Sequence, residues 1–234
     1  MCGRYNVLPD VEAWVTAFGI LSDELAGLDL TAHYNVAPAE KRKTKEDLIR
    51  WIPLIRQHEQ HRSVELAIWS LIPRWCKGIL PDWSTANAKS ETAAKLNTFK
   101  GPWHHNQRCL IPANGFYEWQ KQETGPKQPY HIGMRNQAVF AFGGLWEISI
   151  NADGEAIESS TILTTTPNEL MKPIHNRMPV IVHPGNYETW LTGTPDEAQA
   201  LCVPLPAQMM QAYRISTMVN NPGLDDERII QPTE

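Results

Sequence analysis

The chain has 234 residues, 42% of them hydrophobic, and its 21 lysines and arginines against 26 aspartates and glutamates give a formal charge of −5 at neutral pH. That length and apolar content can bury one large core, and no composition break divides it. The negative balance argues against a protein that coats nucleic acid indiscriminately, because phosphate neutralisation supplies nearly all non-specific affinity, but it leaves room for a local basic cleft.

In chain order, PDVEAWVTAFG predicts a helix with Val11, Trp14, Val15 and Phe18 on one face, opened by Pro9-Asp10 and closed by Gly19. KRKTK at 41–45 is the one dense basic run; with Glu46-Asp47 directly behind it, a solvated loop is favoured over a phosphate-binding patch. LAIWSLI at 66–72 reads as a strand, and SETAAKLNTF at 90–99 as a second helix. RCLIPA at 108–113, PYHIGM at 129–134, AVFAFGGLWEI at 138–148, SSTILTTT at 159–166 and MPVIV at 178–182 read as further strands. TGTPDEAQALC predicts a third helix, with Thr194 as N-cap, Pro195 at the first helical position and Asp196-Glu197 in the first turn. The strands are too closely spaced for repeated helical crossovers. A single α+β domain over residues 1–234 is expected, with a curved, mostly antiparallel, barrel-like sheet and peripheral helices.

No apolar run approaches bilayer length and the start of the chain lacks a signal-peptide layout, so a soluble cytoplasmic protein with no membrane partner is expected. Cys2, Cys76, Cys109 and Cys202 are far apart and form no CxxC pair, which suits a reducing compartment; no structural zinc site and no cofactor are expected. HEQH at 58–61 has its histidines three apart, not the four of a zinc-protease helix.

Polar residues with chemical potential collect in a few stretches. Cys2 stands directly behind Met1, and methionine removal would leave an α-amine and a thiol on one residue. Their reference pKa values of about 8 and 8.5 leave a useful fraction of each nucleophilic at neutral pH. In NGFYEW, Glu118 lies among Phe116, Tyr117 and Trp119, where desolvation would raise its pKa toward that of a general acid–base; a strand glutamate facing solvent is the alternative. In IHNRMP, His175 beside Arg177 reads as a proton shuttle next to an anion-binding group, or as a structural histidine. Asn35 and Asn87 read as amides that orient a ligand, or as turn residues. Nine tryptophans are many for this length; most are core, and Trp75 and Trp119 lie beside polar motif positions where they can offer faces for base stacking.

Taken together, MCGRY, YNVAP, the W-x-L-I-P-x-W stretch at 69–75, NAKSETA, RCLIPANGFYEW, KQPY, GGLWE, TTTPN and IHNRMPVIV resemble the SOS-response-associated peptidase (SRAP) family, the abasic-site processing proteins. The resemblance implies a sensor that crosslinks to ring-opened abasic sites in single-stranded DNA; a monomer is expected. The Cys2 amine would form a Schiff base with the sugar aldehyde and its thiol would close a thiazolidine, after autoproteolytic loss of Met1. It further implies Glu118 as catalytic glutamate, Asn35 as the residue positioning Cys2, and His175 near the sugar. Arg4, Lys89 and Arg177 would contact phosphates and Trp75 would wedge or stack beside a base; from the residues themselves, Asn87 and Trp119 are expected on the DNA-binding surface as well.

Three positions depart from the family pattern: Lys89 where arginine is common, Cys76 where some members have tryptophan, and Ser70 for a frequent glycine. Lysine keeps the charge and loses the bidentate fork. Two rival readings are a peptidase acting on other proteins through an N-terminal cysteine, and a non-catalytic module that binds single strands whether or not they carry a lesion.

Overall fold

A computed structural model describes residues 3–39, 51–136 and 139–233; Cys2 and the KRKTK run lie outside the described residues. In chain order the elements are β1 (Tyr5–Val7), α1 (Val11–Phe18), β2 (His33–Val36), β3 (Trp51–His58), β4 (His61–Trp69), β5 (Asn87–Lys89), α2 (Ser90–Ala93), α3 (Asn97–His104), β6 (Arg108–Ala113), β7 (Gly115–Gln120), β8 (Gln128–Met134), β9 (Phe140–Ile150), β10 (Ala156–Thr165), β11 (Met178–Pro179), β12 (Ile181–Val182), α4 (Tyr187–Thr192), α5 (Pro195–Ala200) and β13 (Met210–Arg214).

Five strands close a ring. β10 pairs with β9, β9 with β6, β6 with β3, β3 with β4, and β4 returns in parallel to β10. Closure removes exposed edges. Where β9 and β10 diverge beyond the Ile162–Gly144 pair, the MPVIV segment fills the gap: β11 pairs with the end of β10 and β12 with the start of β9. β5 extends the other side of β10 in parallel, with Asn87 opposite Ile162 and Lys89 opposite Thr164. A second, wholly antiparallel sheet has the order β13-β8-β7-β1-β2. The two share one apolar interior, where the Tyr5 ring of the second sheet packs edge-on against Trp69 and Phe142 of the barrel, at 5.2 and 5.7 Å between centroids. The expected α+β fold with a mostly antiparallel, barrel-like core is therefore the one observed.

The helices follow their local chemistry. Asp10 caps α1, its side chain accepting from the Ala13 N–H at 2.9 Å, and Gly19 closes the helix in the left-handed region at φ 62°. Trp14 and Phe18 of the expected face are buried, whereas Val11, in the first turn, is exposed. Thr194 and Glu197 form a full capping box at the start of α5. The helix expected over 90–99 is split instead: Leu96 is extended between α2 and α3, and the chain re-enters a helix so that Phe99 and Trp103, one turn apart, bury together.

HEQH is the β3–β4 hairpin turn, with His58 paired to His61 across it and Glu59 at φ 43°. Its lack of the Asn-Gly signature is why β3 does not show in the sequence. The second sheet is also largely invisible there, because β1 and β2 are three and four residues long and β7 and β13 carry polar side chains.

Candidate active site

Glu118 lies near the end of β7, where residues Gly115 to Glu118 are all buried. Side chains alternate along a strand, so Glu118 shares the face of Phe116, which belongs to the core between the sheets, while Tyr117 and Trp119 share the opposite face and pack in a smaller cluster with Ile215, Val219 and Ile229. The carboxylate is thus desolvated because it points inward at the margin of the core, not because of its aromatic neighbours in sequence. It is 2% exposed, and burial raises its pKa to about 7. The solvent-facing alternative is ruled out by that burial.

His175 comes from the turn after β10, in which Asn168 Oδ1 accepts the Met171 N–H at 2.9 Å and the His175 N–H bonds the Met171 carbonyl at 2.8 Å. The Gln120 side-chain amide donates to the Pro173 carbonyl at 2.9 Å, tying this turn to the end of β7. The imidazole Nε2 then stands 3.9 Å from Glu118 Oε2. Its Nδ1 is 3.1 Å from the Arg177 N–H and 3.3 Å from the Arg177 carbonyl; the shorter contact makes Nδ1 the acceptor and leaves the ring proton on Nε2, toward the carboxylate. Burial lowers the His175 pKa. A carboxyl pushed up to about 7 and an imidazole pushed down give a pair in which Glu118 can hold or release its proton near neutral pH while the imidazole beside it stays uncharged.

β1 runs beside this strand and brings Arg4 against it. Tyr5 pairs with Phe116, Asn6 with Gly115, and the Tyr117 N–H donates to the Arg4 carbonyl at 3.0 Å. That register needs a glycine at 115: a Cβ there would sit 2.1 Å from His131 Nε2 and 2.8 Å from Asn6 Oδ1, atoms that contact each other at 3.0 Å. His131 is 8% exposed and burial lowers its pKa to about 4, so it sits in this contact as neutral imidazole.

Asn35 is fully buried on β2 and is not a turn residue. Its Oδ1 accepts from Arg4 Nη1 at 2.9 Å, and its Nδ2 donates to the Asn221 and Leu224 carbonyls, each at 2.9 Å. Arg4 Nη1 also donates to the Val219 carbonyl at 2.7 Å. Asp225, which sequence reasoning missed, accepts the Tyr34 and Asn35 N–H groups at 2.6 and 3.0 Å and contacts His33 Nδ1 at 2.8 Å. The segment 219–225 is thus laced to β1 and β2, and Trp119 Nε1 adds a bond to Asn220 Oδ1 at 2.7 Å. An acidic pair in LDDE carries no signal that would have singled out Asp225.

The remaining expected residues fall in two places. Half-buried Asn87 and exposed Lys89 lie on β5, beside the end of β10, and Arg177 reaches the same end, donating to the Thr164 carbonyl at 2.6 Å. Trp75 stands on a separate turn, Arg74–Cys76, 56% exposed, in a cleft of about 420 Å³ with Trp83, Asn97, Thr98 and Lys100. That turn is anchored by Arg74 Nε donating to the buried Glu147 at 2.6 Å. Among the described residues no group of three or more His, Cys, Asp or Glu could hold a metal ion, and no helix is long and apolar enough to cross a membrane.

The fold and site define a two-sheet β-rich protein with a buried carboxyl facing a half-buried imidazole beside the pairing of β1 with β7. Residues 1–222 match the family described as SOS response associated peptidase (SRAP), and the chain belongs to that family. It is 34% identical over 234 residues to the abasic site processing protein YoqW of Bacillus subtilis, covering 99% of each chain. It is 26% identical to the abasic site processing protein YedK of Escherichia coli, over 99% of this chain and 100% of that one. The abasic site processing protein HMCES of Gallus gallus is 30% identical over 192 residues, and the match spans 56% of its length. A crystal structure of a protein from Bacteroides thetaiotaomicron superposes with a TM-score of 0.81 at 25% identity, covering all of both chains.

Proposed function

We propose that this protein processes abasic sites in DNA by capturing the ring-opened aldehyde on Cys2 in a single strand. The observation that carries the reading is the Glu118–His175 pair at the end of β7, alongside Arg4, which is two residues from Cys2 in the chain. The names of the relatives support the lesion.

The chemistry needs one proton relay and no cofactor. The free α-amine of Cys2 adds to the aldehyde carbon to give a carbinolamine. Protonation of its hydroxyl by Glu118 expels water and leaves an imine, and the Cys2 thiol then adds to the imine carbon while its proton passes to nitrogen, closing a thiazolidine. Ring closure is intramolecular, so the thiol acts at a very high effective molarity and traps an imine that would otherwise hydrolyse or promote strand scission. His175 Nε2–H, facing Glu118, steadies the carboxylate so formed, which regains its proton from the nitrogen as the imine is released. Hydrolysis of the Met1–Cys2 bond by the same acid–base pair would expose the amine. Asn35 fixes Arg4, and through it the approach of the chain start to β7. Lys89 supplies positive charge and Trp75 a stacking face for a strand without base-specific readout. The protein acts as a monomer in the cytoplasm, at the nucleoid in a bacterium.

The test is a denaturing gel of purified protein mixed with single-stranded DNA bearing one abasic site. Wild type is expected to give an adduct that survives heat and detergent, and Cys2→Ala only a reversible one, trapped by borohydride. Equal retention of intact and abasic strands, with no adduct, would make the protein a binding module; cleavage of peptides in trans without need for an aldehyde would make it a peptidase.

A further inference from the structure

Arg177 is expected to contact a phosphate, yet both of its Nη groups are already engaged. Nη1 and Nη2 donate to the two carboxylate oxygens of Glu91 at 2.6 and 2.8 Å, and Nη2 also donates to the Thr164 carbonyl at 2.6 Å. The two partners differ in freedom. The Arg177 side chain is 14% exposed and pinned to β10, whereas that of Glu91 is 46% exposed on the four-residue helix α2. Lys89, exposed and two residues before Glu91, stands on β5 opposite Thr164 of β10, so two cations and one carboxylate meet at this end of β10. A bidentate carboxylate occupies a guanidinium as a phosphate does, through two oxygens in its plane.

We propose that Glu91 is a built-in competitor for phosphate at Arg177, which a DNA strand must displace to gain that contact. The inference rests on the strand-capture reading above. Glu91 is the partner that moves, because leaving Arg177 in place keeps its bond to Thr164. Hydrogen bonding to Arg177 holds the Glu91 carboxyl below its usual range, so the competitor is ionised throughout the physiological pH range. The consequence is selectivity. Glu91 weakens non-covalent binding to every strand alike, intact or damaged, and leaves retention to the covalent step that only an aldehyde allows.

The experiment measures binding by fluorescence anisotropy over a salt series, using an intact single strand and one carrying a tetrahydrofuran abasic analogue that cannot form an imine. Glu91→Gln, which keeps shape and removes charge, is expected to tighten both strands by about two- to fivefold, the range of an exposed ion pair. It should also steepen the salt dependence, by at most about 0.7, because wild type engages Arg177 only in the fraction of complexes that have displaced Glu91 and the variant engages it in all. Glu91→Asp, which keeps the charge but shortens the reach, should fall between, and the double variant with Arg177→Gln should lose both gains. Weaker binding by Glu91→Gln would show that Glu91 positions Arg177 and would overturn the proposal, as would unchanged affinity and slope. Adduct formation by wild type on an aldehyde-bearing strand is measured in parallel: its absence sinks the strand-capture reading, whereas an adduct together with an indifferent Glu91→Gln sinks the competitor alone.

Discussion

His175 Nε2 faces Glu118 Oε2 at 3.9 Å, the one close to solvent and the other almost wholly withdrawn from it. The spacing is slightly long for a hydrogen bond, and a substrate hydroxyl or a water can bridge it. If this pair moves the proton in imine formation, Glu118→Gln should slow single-turnover adduct formation by about 10²–10⁴-fold, the usual worth of a positioned acid–base group. The pH profile separates this from a structural effect. Rate rises with pH as the α-amine, with an ordinary pKa of about 8, loses its proton. It falls as Glu118 loses its own near 7, so wild type should show a bell and Glu118→Gln only the rising limb.

The same carboxyl has a cost in stability. Its folded pKa, about 7, lies above the ordinary value of 4.5, so the folded state binds its proton more tightly than the unfolded chain does. The Glu118 contribution is therefore favourable below pH 4.5 and is lost as pH rises through 7. Glu118→Gln should stabilise the protein at pH 8 by on the order of 2 kcal/mol and have little effect at pH 4. Urea unfolding at the two pH values checks both sign and window. A variant less stable than wild type at pH 8 would mean that the ionised carboxylate is well solvated or paired.

Asn35 satisfies the Asn221 and Leu224 carbonyls and Arg4 through a side chain with no exposure. Asn35→Ala leaves these groups to find other partners in a dry place, which should cost about 2–4 kcal/mol. Amide hydrogen exchange should rise first in segment 219–225, before any change in the barrel. Uniform loss of protection across both sheets would show that Asn35 belongs to the global core and not to a local lacing.

Ser70 has φ 148°, a region that L side chains rarely adopt, while its N–H bonds the Ser160 carbonyl and its hydroxyl the Ala39 carbonyl, each at 3.0 Å. Ser70→Ala and Ser70→Gly lose the same hydroxyl bond, but only glycine relieves the backbone. Ser70→Gly should therefore be the more stable of the two by about 1 kcal/mol or more, the reverse of the ordinary preference for alanine. Thermal melts of the two variants decide it, and alanine at or above glycine would show that the position carries no strain.

The sequence by itself determined those elements whose cause is local. The Asp10 and Thr194 caps, the Gly19 stop and the apolar runs of β6, β8 and β10 are all set by chemistry within a few residues of themselves. It also singled out Glu118, His175 and Asn35 as polar groups in apolar frames, and a resemblance spread over the whole chain pointed to the family. The tertiary structure alone decided what surrounds them. β1, β2 and β13 are too short or too polar to signal a strand, and they exist because partners far along the chain supply their hydrogen bonds, as β7 does for β1 and β8 for β13. Glu118 is buried by the face of β7 it occupies and not by the aromatic residues written beside it, and its partner arrives from a turn beyond β10. Arg177 shows the same limit from the other side. Its charge is plain in the letters, but whether that charge faces solvent or a carboxylate depends on Glu91, which only the pairing of β5 with β10 brings within reach.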